Sequence, residues 1–206
     1  MLLLSRSPLE LSLAEQKKAL IYLLRQLAYR EGDFTLSSGK KSTYYINCKP
    51  VTLHPQGAYL VGQLVLAELP ETVEAVAGLT LGADPIVSAV SLVSAYAERA
   101  PQTETLTNLP GLIVRKKAKG HGTQAYIEGP TLPVNTCVWI LEDVVTTGAS
   151  ALQAAERITD AGYTVGGILA LVDRQQGGEQ LYAEAKLPFK SLLTIADIQQ
   201  AADLNM

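Results

Sequence analysis

Two stretches of this chain concentrate residues able to do chemistry. In the first, Glu142 and Asp143 stand side by side after the apolar run Val138-Trp139-Ile140-Leu141, and Val144-Val145-Thr146-Thr147-Gly148-Ala149-Ser150 follows. Carboxylates accept hydrogen bonds from sugar hydroxyls or hold a hard cation. A loop of small residues running into a helix offers backbone N–H groups and the positive end of the helix dipole to a phosphate. Strand, acidic pair, loop and helix N-terminus together predict a sugar-phosphate site. In the second stretch, Arg115, Lys116, Lys117, Lys119 and His121 place five potential cations between Arg115 and Gly122. A solvated charged face is the plain explanation. A lid over a polyanion such as pyrophosphate is the functional one, because the charge on such a group grows as it leaves. His121, between Gly120 and Gly122, has the side chain suited to proton donation near neutral pH. A third loop, Gly78 to Asp84, carries two glycines that serve equally as turn residues or as points where backbone approaches an anion.

Composition bounds these readings. The chain has 206 residues, 48% of them hydrophobic, enough to bury a core in one domain. Its net charge of −3 argues against a general binder of nucleic acid or anionic membrane. Cys48 and Cys137 lack metal-ligand spacing and read as small buried hydrophobes in a reducing setting. Met1-Leu2-Leu3-Leu4 is interrupted at once by Ser5, Arg6, Ser7 and Pro8, so it is a poor signal peptide. No stretch reaches the roughly 20 apolar residues of a membrane helix. These features predict a soluble, cytoplasmic protein.

Stepping outward to the elements that must hold the two clusters, Ser12-Leu13-Ala14-Glu15 fits a capping box. Leu13, Leu20, Ile21, Leu24, Leu27 and Ala28 recur at helical spacing, with Gly32 as the expected stop. Phe34 to Ser38 and Thr43 to Asn47 predict a hairpin around Gly39, Lys40 and Lys41. Beyond His54 the pattern alternates: helix Gln56–Leu69, strand Val73–Ala77, helix from Pro85 to about Arg99, and strands Leu112–Val114, Val138–Leu141 and Thr164–Val172. A helix from Ser150 to Ala161 closes at Gly162. Such alternation implies an α/β fold with a parallel sheet flanked by helices, and ligands gather at the carboxyl ends of its strands. The expected layout is one domain, residues 1–206, with a helix-and-hairpin hood over about 1–53 and an α/β core over about 54–206.

The fingerprints of P-loop nucleotide hydrolysis, dinucleotide binding and the α/β-hydrolase nucleophile elbow do not occur. A phosphate cradle, a carboxylate pair and a cationic loop remain, and these are the needs of a ribose 5-phosphate carrying pyrophosphate on its anomeric carbon. At these residues the chain resembles the type I phosphoribosyltransferases: Val138 to Ser150 looks like their phosphoribosyl-diphosphate signature. Arg115-Lys116-x-x-Lys119-x-His121-Gly122 with Ile127-Glu128-Gly129 is similar to the catalytic loop of the orotate phosphoribosyltransferases within that family. Phe34-Thr35-Leu36-x-Ser38-Gly39-Lys40-x-Ser42-x-Tyr44 resembles their hairpin, and Leu171-Val172-Asp173-Arg174-Gln175 their base-site loop. The likeness spans Phe34 to about Gly178.

The resemblance implies a type I phosphoribosyltransferase-like fold and transfer of the phosphoribosyl group from phosphoribosyl diphosphate to orotate, giving orotidine 5′-phosphate and pyrophosphate. It implies Glu142 and Asp143 on the ribose hydroxyls, with Val144, Val145, Thr146, Thr147, Gly148, Ala149 and Ser150 around the 5-phosphate. Arg115, Lys116, Lys119 and His121 would meet the pyrophosphate, and Lys116, Lys119, His121 and Asp143 are the implied catalytic residues. Arg174 and Thr146 would contact orotate, with Tyr45 and Ile46 beside them. Mg²⁺ would be bound mainly through the diphosphate, Asp143 being the candidate side-chain ligand. A homodimer is implied, its Arg115–Gly122 loop acting across subunits. Taken without the resemblance, Arg174 reads as a turn residue on a solvated loop. The chain departs from common members at Ser37 and Gly82 in place of lysines, at Leu81 in place of Tyr, at Ile46 in an aromatic pair, and at Glu142 in an Asp-Asp pair. Transfer to another base, and a non-catalytic sensor of phosphoribosyl diphosphate, are the alternative functions.

Overall fold

The computed structural model describes residues 4–35, 39, 41–97, 108–118 and 126–201. Helix α1 spans Leu13–Leu23, and its Ser12 capping box forms as the sequence predicts. The helix does not run on to Gly32. It widens into a π turn over Leu24–Ala28 and gives way at Tyr29 to strand β1 (Tyr29–Thr35). Gly32 lies inside this strand at φ +147°, in the irregular stretch between Glu31 and Phe34. The glycine therefore permits a bulge and does not stop a helix. β1 pairs antiparallel with β2 (Lys41–Ile46), starting at Tyr29↔Ile46. The hairpin thus begins five residues earlier than the β-prone run at Phe34 suggests.

Two helices follow, α2 (Lys49–Thr52) and α3 (Pro55–Glu68). The core then runs β3 (Ala75–Leu79), α4 (Asp84–Ala97), β4 (Gly111–Val114), β5 (Ile127–Glu128), β6 (Cys137–Val145), α5 (Ala149–Asp160), β7 (Thr164–Asp173), α6 (Gly178–Glu184), β8 (Phe189–Thr194) and α7 (Ile195–Gln199). The main sheet has the order β5-β4-β3-β6-β7-β8. Every pairing is parallel except β4 with β5, so the expected parallel sheet carries one short antiparallel edge strand.

Side-chain alternation along the strands supplies two cores. Trp139 and Leu141 of β6, with Leu169 and Leu171 of β7, join the face covered by α1, α3 and α4. Val138 and Ile140, with Ile168 and Ala170, join the opposite face under α5, where Ala151, Ala154, Ala155 and Ile158 pack. Cys48 is fully buried, as expected, and Cys137 half-buried; both are free thiols. The C-terminal helix α7 is tied to the hairpin by Gln199 Nε2 donating to the Tyr29 hydroxyl at 3.1 Å.

One difference from the sequence reading matters for function. Strand β6 does not end before the acidic pair. It continues through Glu142 and Asp143 to Val145, because β7 is long enough to pair with it as far as Val145↔Asp173. Both carboxylates are therefore held by strand geometry.

Candidate functional site

At the end of β6 the strict alternation breaks: Val144 packs with the core of Trp139 and Leu141, and Val145 with that of Val138 and Ile140. Just before them, the Glu142 and Asp143 carboxyls stand close enough to act on each other. Glu142 is buried and its Oε2 has no hydrogen-bond partner. Burial first, and the neighbouring Asp143 charge second, push its carboxyl up to about 8, while the Lys116 ammonium pulls it back. Asp143 is half-exposed, and its Oδ1 accepts from the Val144 N–H at 3.0 Å. Its carboxylate also leans over Gly82: a Cβ there would fall 2.5 Å from Cγ and from both oxygens. The other glycine of that loop, Gly78, sits inside β3 packed against Ala83, so only Gly82 belongs to the site.

The chain turns at Thr146, Thr147 and Gly148 and enters α5. Gly148 is the N-cap residue at φ +89°, with no side chain capping the first turn. The N–H groups at that end of a 12-residue helix have no side-chain acceptor competing for them. Glu142, Val144 to Ala151 and Tyr182 of α6 line a cavity of about 100 Å³ here, the scale of a phosphate group with part of a sugar. Tyr182 forms its floor. A Cβ on Gly148 would approach the Tyr182 ring to 3.0 Å, so with its positive φ this position favours glycine on two counts. The Tyr182 hydroxyl is buried without a hydrogen-bond partner, and burial beside Glu142 raises its pKa. Sequence reasoning passed over Tyr182; only the glycine pair before α6 marks a close approach.

Arg174 follows the last residue of β7 and is buried. Its backbone N–H donates to the Val145 carbonyl at 2.9 Å, which ties it to the cradle strand. Its guanidinium reaches the hairpin, where Nε donates to the Tyr44 hydroxyl at 3.0 Å and Nη2 to Ser42 Oγ at 3.4 Å. Its Cζ also lies 4.7 Å from the Tyr44 ring centroid. Tyr44 in turn stacks on Tyr29. Of the two hairpin residues expected beside the base, Tyr45 is exposed and packs on Phe34, whereas Ile46 is buried. The hairpin thus touches Arg174 through Tyr44 and Ser42, which the alternation of β2 puts on the inner face.

The cationic stretch leaves β4 at Arg115. Its N–H donates to the Tyr126 carbonyl at 2.7 Å, and its side chain pairs with Glu128 at 2.8 Å. Lys116 is exposed. Lys119 and His121 lie outside the described residues. The structure therefore brings together Glu142, Val144 to Ser150 and, through Val145, Arg174, with Asp143 of β6 set against Gly82 in the loop after β3.

No protein-family model matches the chain. Among curated proteins, it is 59% identical over 188 residues to the orotate phosphoribosyltransferase of Synechocystis sp., covering 91% of both chains. It is 58% identical over 184 residues to the orotate phosphoribosyltransferase of Nostoc sp., covering 89% of this chain and 85% of that one. Among solved structures, the Mycobacterium tuberculosis orotate phosphoribosyltransferase in complex with Fe(III) dicitrate superposes with a TM-score of 0.73 at 35% identity, covering 89% of this chain and 98% of that chain. The same mycobacterial protein has been solved in complex with 5-phospho-α-D-ribosyl 1-diphosphate, with a TM-score of 0.69 at 32% identity over 89% of this chain and 99% of that one. With a cradle at a helix N-terminus and a buried arginine tied to it, relatives of this identity and coverage lead to one conclusion: the chain belongs to the orotate phosphoribosyltransferase family.

Proposed function

We propose that this chain transfers the 5-phosphoribosyl group from phosphoribosyl diphosphate to orotate, yielding orotidine 5′-phosphate and pyrophosphate in pyrimidine synthesis. The observation that carries the reading is the buried Arg174, fastened by its own N–H to Val145 at the rim of the sugar-phosphate cavity. A buried guanidinium needs an anion, and orotate brings a carboxylate that matches its planar fork. The mycobacterial relative that holds phosphoribosyl diphosphate supports the donor.

In this reading the turn from Val144 to Ser150 wraps the 5-phosphate, and Glu142 and Asp143 accept from the ribose hydroxyls. Arg174 grips the orotate carboxylate, Thr146 contacts the ring, and Ile46, on the same face of β2 as Tyr44, borders it, whereas Tyr45 packs on Phe34 at the outer face. Loss of pyrophosphate leaves an oxocarbenium-like ribose, so stabilising charge on the leaving group gives most of the acceleration. Arg115, Lys116, Lys119 and His121 take that role, the last two lying outside the described residues.

Mg²⁺ belongs to the proposal. Among the described residues no cluster of three or more His, Cys, Asp or Glu side chains is placed to hold a metal. Two adjacent carboxylates, one with an unpartnered oxygen, fit a cation that keeps several waters and arrives on substrate phosphates. When bound it neutralises diphosphate charge.

The proposed assembly is a homodimer with the Arg115–Gly122 loop acting across subunits. In support, Leu53, Leu81 and Leu92 are exposed around an apolar cavity of about 570 Å³, and Leu81 adjoins Gly82 at the site. Among the described residues no helix is long and apolar enough to cross a membrane. A cytoplasmic setting fits two free thiols.

The direct test follows orotate absorbance with phosphoribosyl diphosphate and Mg²⁺. Loss of orotate with release of pyrophosphate is expected; turnover of another base with none of orotate rejects the assignment.

A further inference from the structure

Arg157 has no place in the chemistry above, yet it contacts the stem of the cationic stretch at three residues, Arg115, Lys116 and Tyr126. It projects from the last turn of α5, the helix whose first turn frames the phosphate cavity. Its Nη1 donates to the main-chain carbonyl of Arg115, and its Nη2 to that of Lys116 at 3.2 Å. Its Cζ lies 4.2 Å from the ring centroid of Tyr126. One guanidinium thus touches both arms of the stem, the arm leaving β4 at Arg115 and the arm entering β5 at Tyr126.

The arms are already joined by the Arg115 N–H to the Tyr126 carbonyl and by the Arg115–Glu128 ion pair. What Arg157 adds is a link from this stem to α5. A planar fork suits two successive carbonyls in a way that a point charge does not, and charge-assisted hydrogen bonds are among the stronger ones. Arg157 is half-buried, so solvent screens these contacts only partly. The carbonyl it holds belongs to Lys116, whose ammonium is near enough to Glu142 to act on its carboxyl.

We infer that Arg157 is a positioning residue for phosphoribosyl transfer: it fastens the Arg115 and Lys116 backbone to the helix that frames the 5-phosphate cradle, and so sets the Lys116 ammonium at a fixed offset from the bound sugar. Both ends of the diphosphate-bearing substrate are then referred to a single rigid helix. This rests on the proposed transferase reading, in which Lys116 meets the leaving pyrophosphate. It assigns Arg157 no contact with substrate.

The test compares the wild-type protein with Arg157→Met and Arg157→Lys, measuring kcat, KM for each substrate, product inhibition by pyrophosphate and melting temperature. Misplacing a charge-stabilising group by about 1 Å can cost on the order of a hundredfold, so Arg157→Met is expected to lower kcat at least about tenfold. Pyrophosphate inhibition should weaken while KM for orotate stays within about twofold, because Arg174 sits on another element. Arg157→Lys should recover melting temperature but not kcat, since a compact ammonium does not reproduce the rigid planar fork that fixes both carbonyls and the Tyr126 ring at once. Unchanged kcat in Arg157→Met overturns the inference. Full recovery of kcat in Arg157→Lys overturns it too, as does loss of kcat that only follows loss of melting temperature across both variants. If Arg157→Met does not fold, Arg157→Lys and Tyr126→Leu decide by the same readings. A wild-type protein that leaves orotate untouched but turns over another base rejects the orotate assignment, and the Arg157 comparison is then run with that base.

Discussion

Tyr44 and Arg174 lie 130 positions apart in the chain and meet through a 3.0 Å hydrogen bond from the guanidinium Nε to the phenol oxygen. The hairpin thereby orients the buried cation proposed to face the base. A hydrogen bond to a charged group contributes about 1.5–3 kcal/mol. Tyr44→Phe keeps the ring under Arg174 and removes only that bond, so KM for orotate should rise roughly tenfold, with KM for phosphoribosyl diphosphate unmoved. Steady-state kinetics with each substrate varied checks this. Equal changes in both constants would mean that the hairpin acts on the whole site.

Gly82 and Asp143 form a second linked pair. Since a Cβ on Gly82 would overlap the Asp143 carboxylate, the carboxylate must swing away in any substituted protein. Gly82→Ala is expected to lower kcat by about tenfold, the scale of a displaced catalytic group, while melting temperature changes little at this half-buried loop. Gly82→Lys should not raise activity, because its Cβ meets the same carboxylate. A Gly82→Ala protein with wild-type kcat would show that the position of Asp143 does not matter.

Glu142 predicts a pH dependence. In the folded, ligand-free chain its carboxyl is raised from 4.5 to about 8, chiefly by burial. Folding therefore tightens its hold on the proton, so the stability linked to it is complete below pH 4.5 and is lost as pH rises through about 8. Glu142→Gln fixes the uncharged form. Between roughly pH 5 and pH 9 the variant should gain on the wild type by several degrees in melting temperature, measured without divalent cation. A difference that stays flat across this range would place the titration elsewhere.

The proposed dimer makes a prediction that a monomer cannot satisfy. Lys119→Ala and Asp143→Ala proteins should each be nearly inactive alone. Mixed under conditions that exchange subunits, they should regain activity, because one of the two sites in a heterodimer pairs an intact loop with an intact cradle. No recovery, with exchange verified, would confine loop and cradle to the same chain.

Much of the core was legible because buried parallel strands and amphipathic helices write their period into the sequence. The cradle turn was legible as a loop of hydroxyls and one glycine between strand and helix, although the strand runs on to Val145 and the helix begins at Ala149, one residue before the predicted start at Ser150. The hairpin register was not, because Tyr29 becomes a strand residue only by pairing with Ile46. Apolar spacing through Leu27 and Ala28 continues a helix that tertiary contacts end. The extension of β6 through Glu142 and Asp143 was hidden for a similar reason: carboxylates disfavour strands, and the length of β7 overrides that preference. Tyr182, Ser42 and Arg157 act across distances along the chain that no local pattern records. Tyr44 could be noticed as part of a motif, but not as the partner of Arg174.

The main-chain bond from Arg174 to Val145 has one more consequence. It makes the sheet a ruler. In the proposed reaction the sugar would be seated by residues that follow Val145, and the base gripped by the residue that follows Asp173, Val145's neighbour across the ladder. The gap that the new glycosidic bond must close is thus measured between adjacent strands, whose spacing of about 4.8 Å hardly varies among proteins. Side chains on the hairpin can drift and alter which base is held, and how tightly, without changing how far the two reactants stand apart.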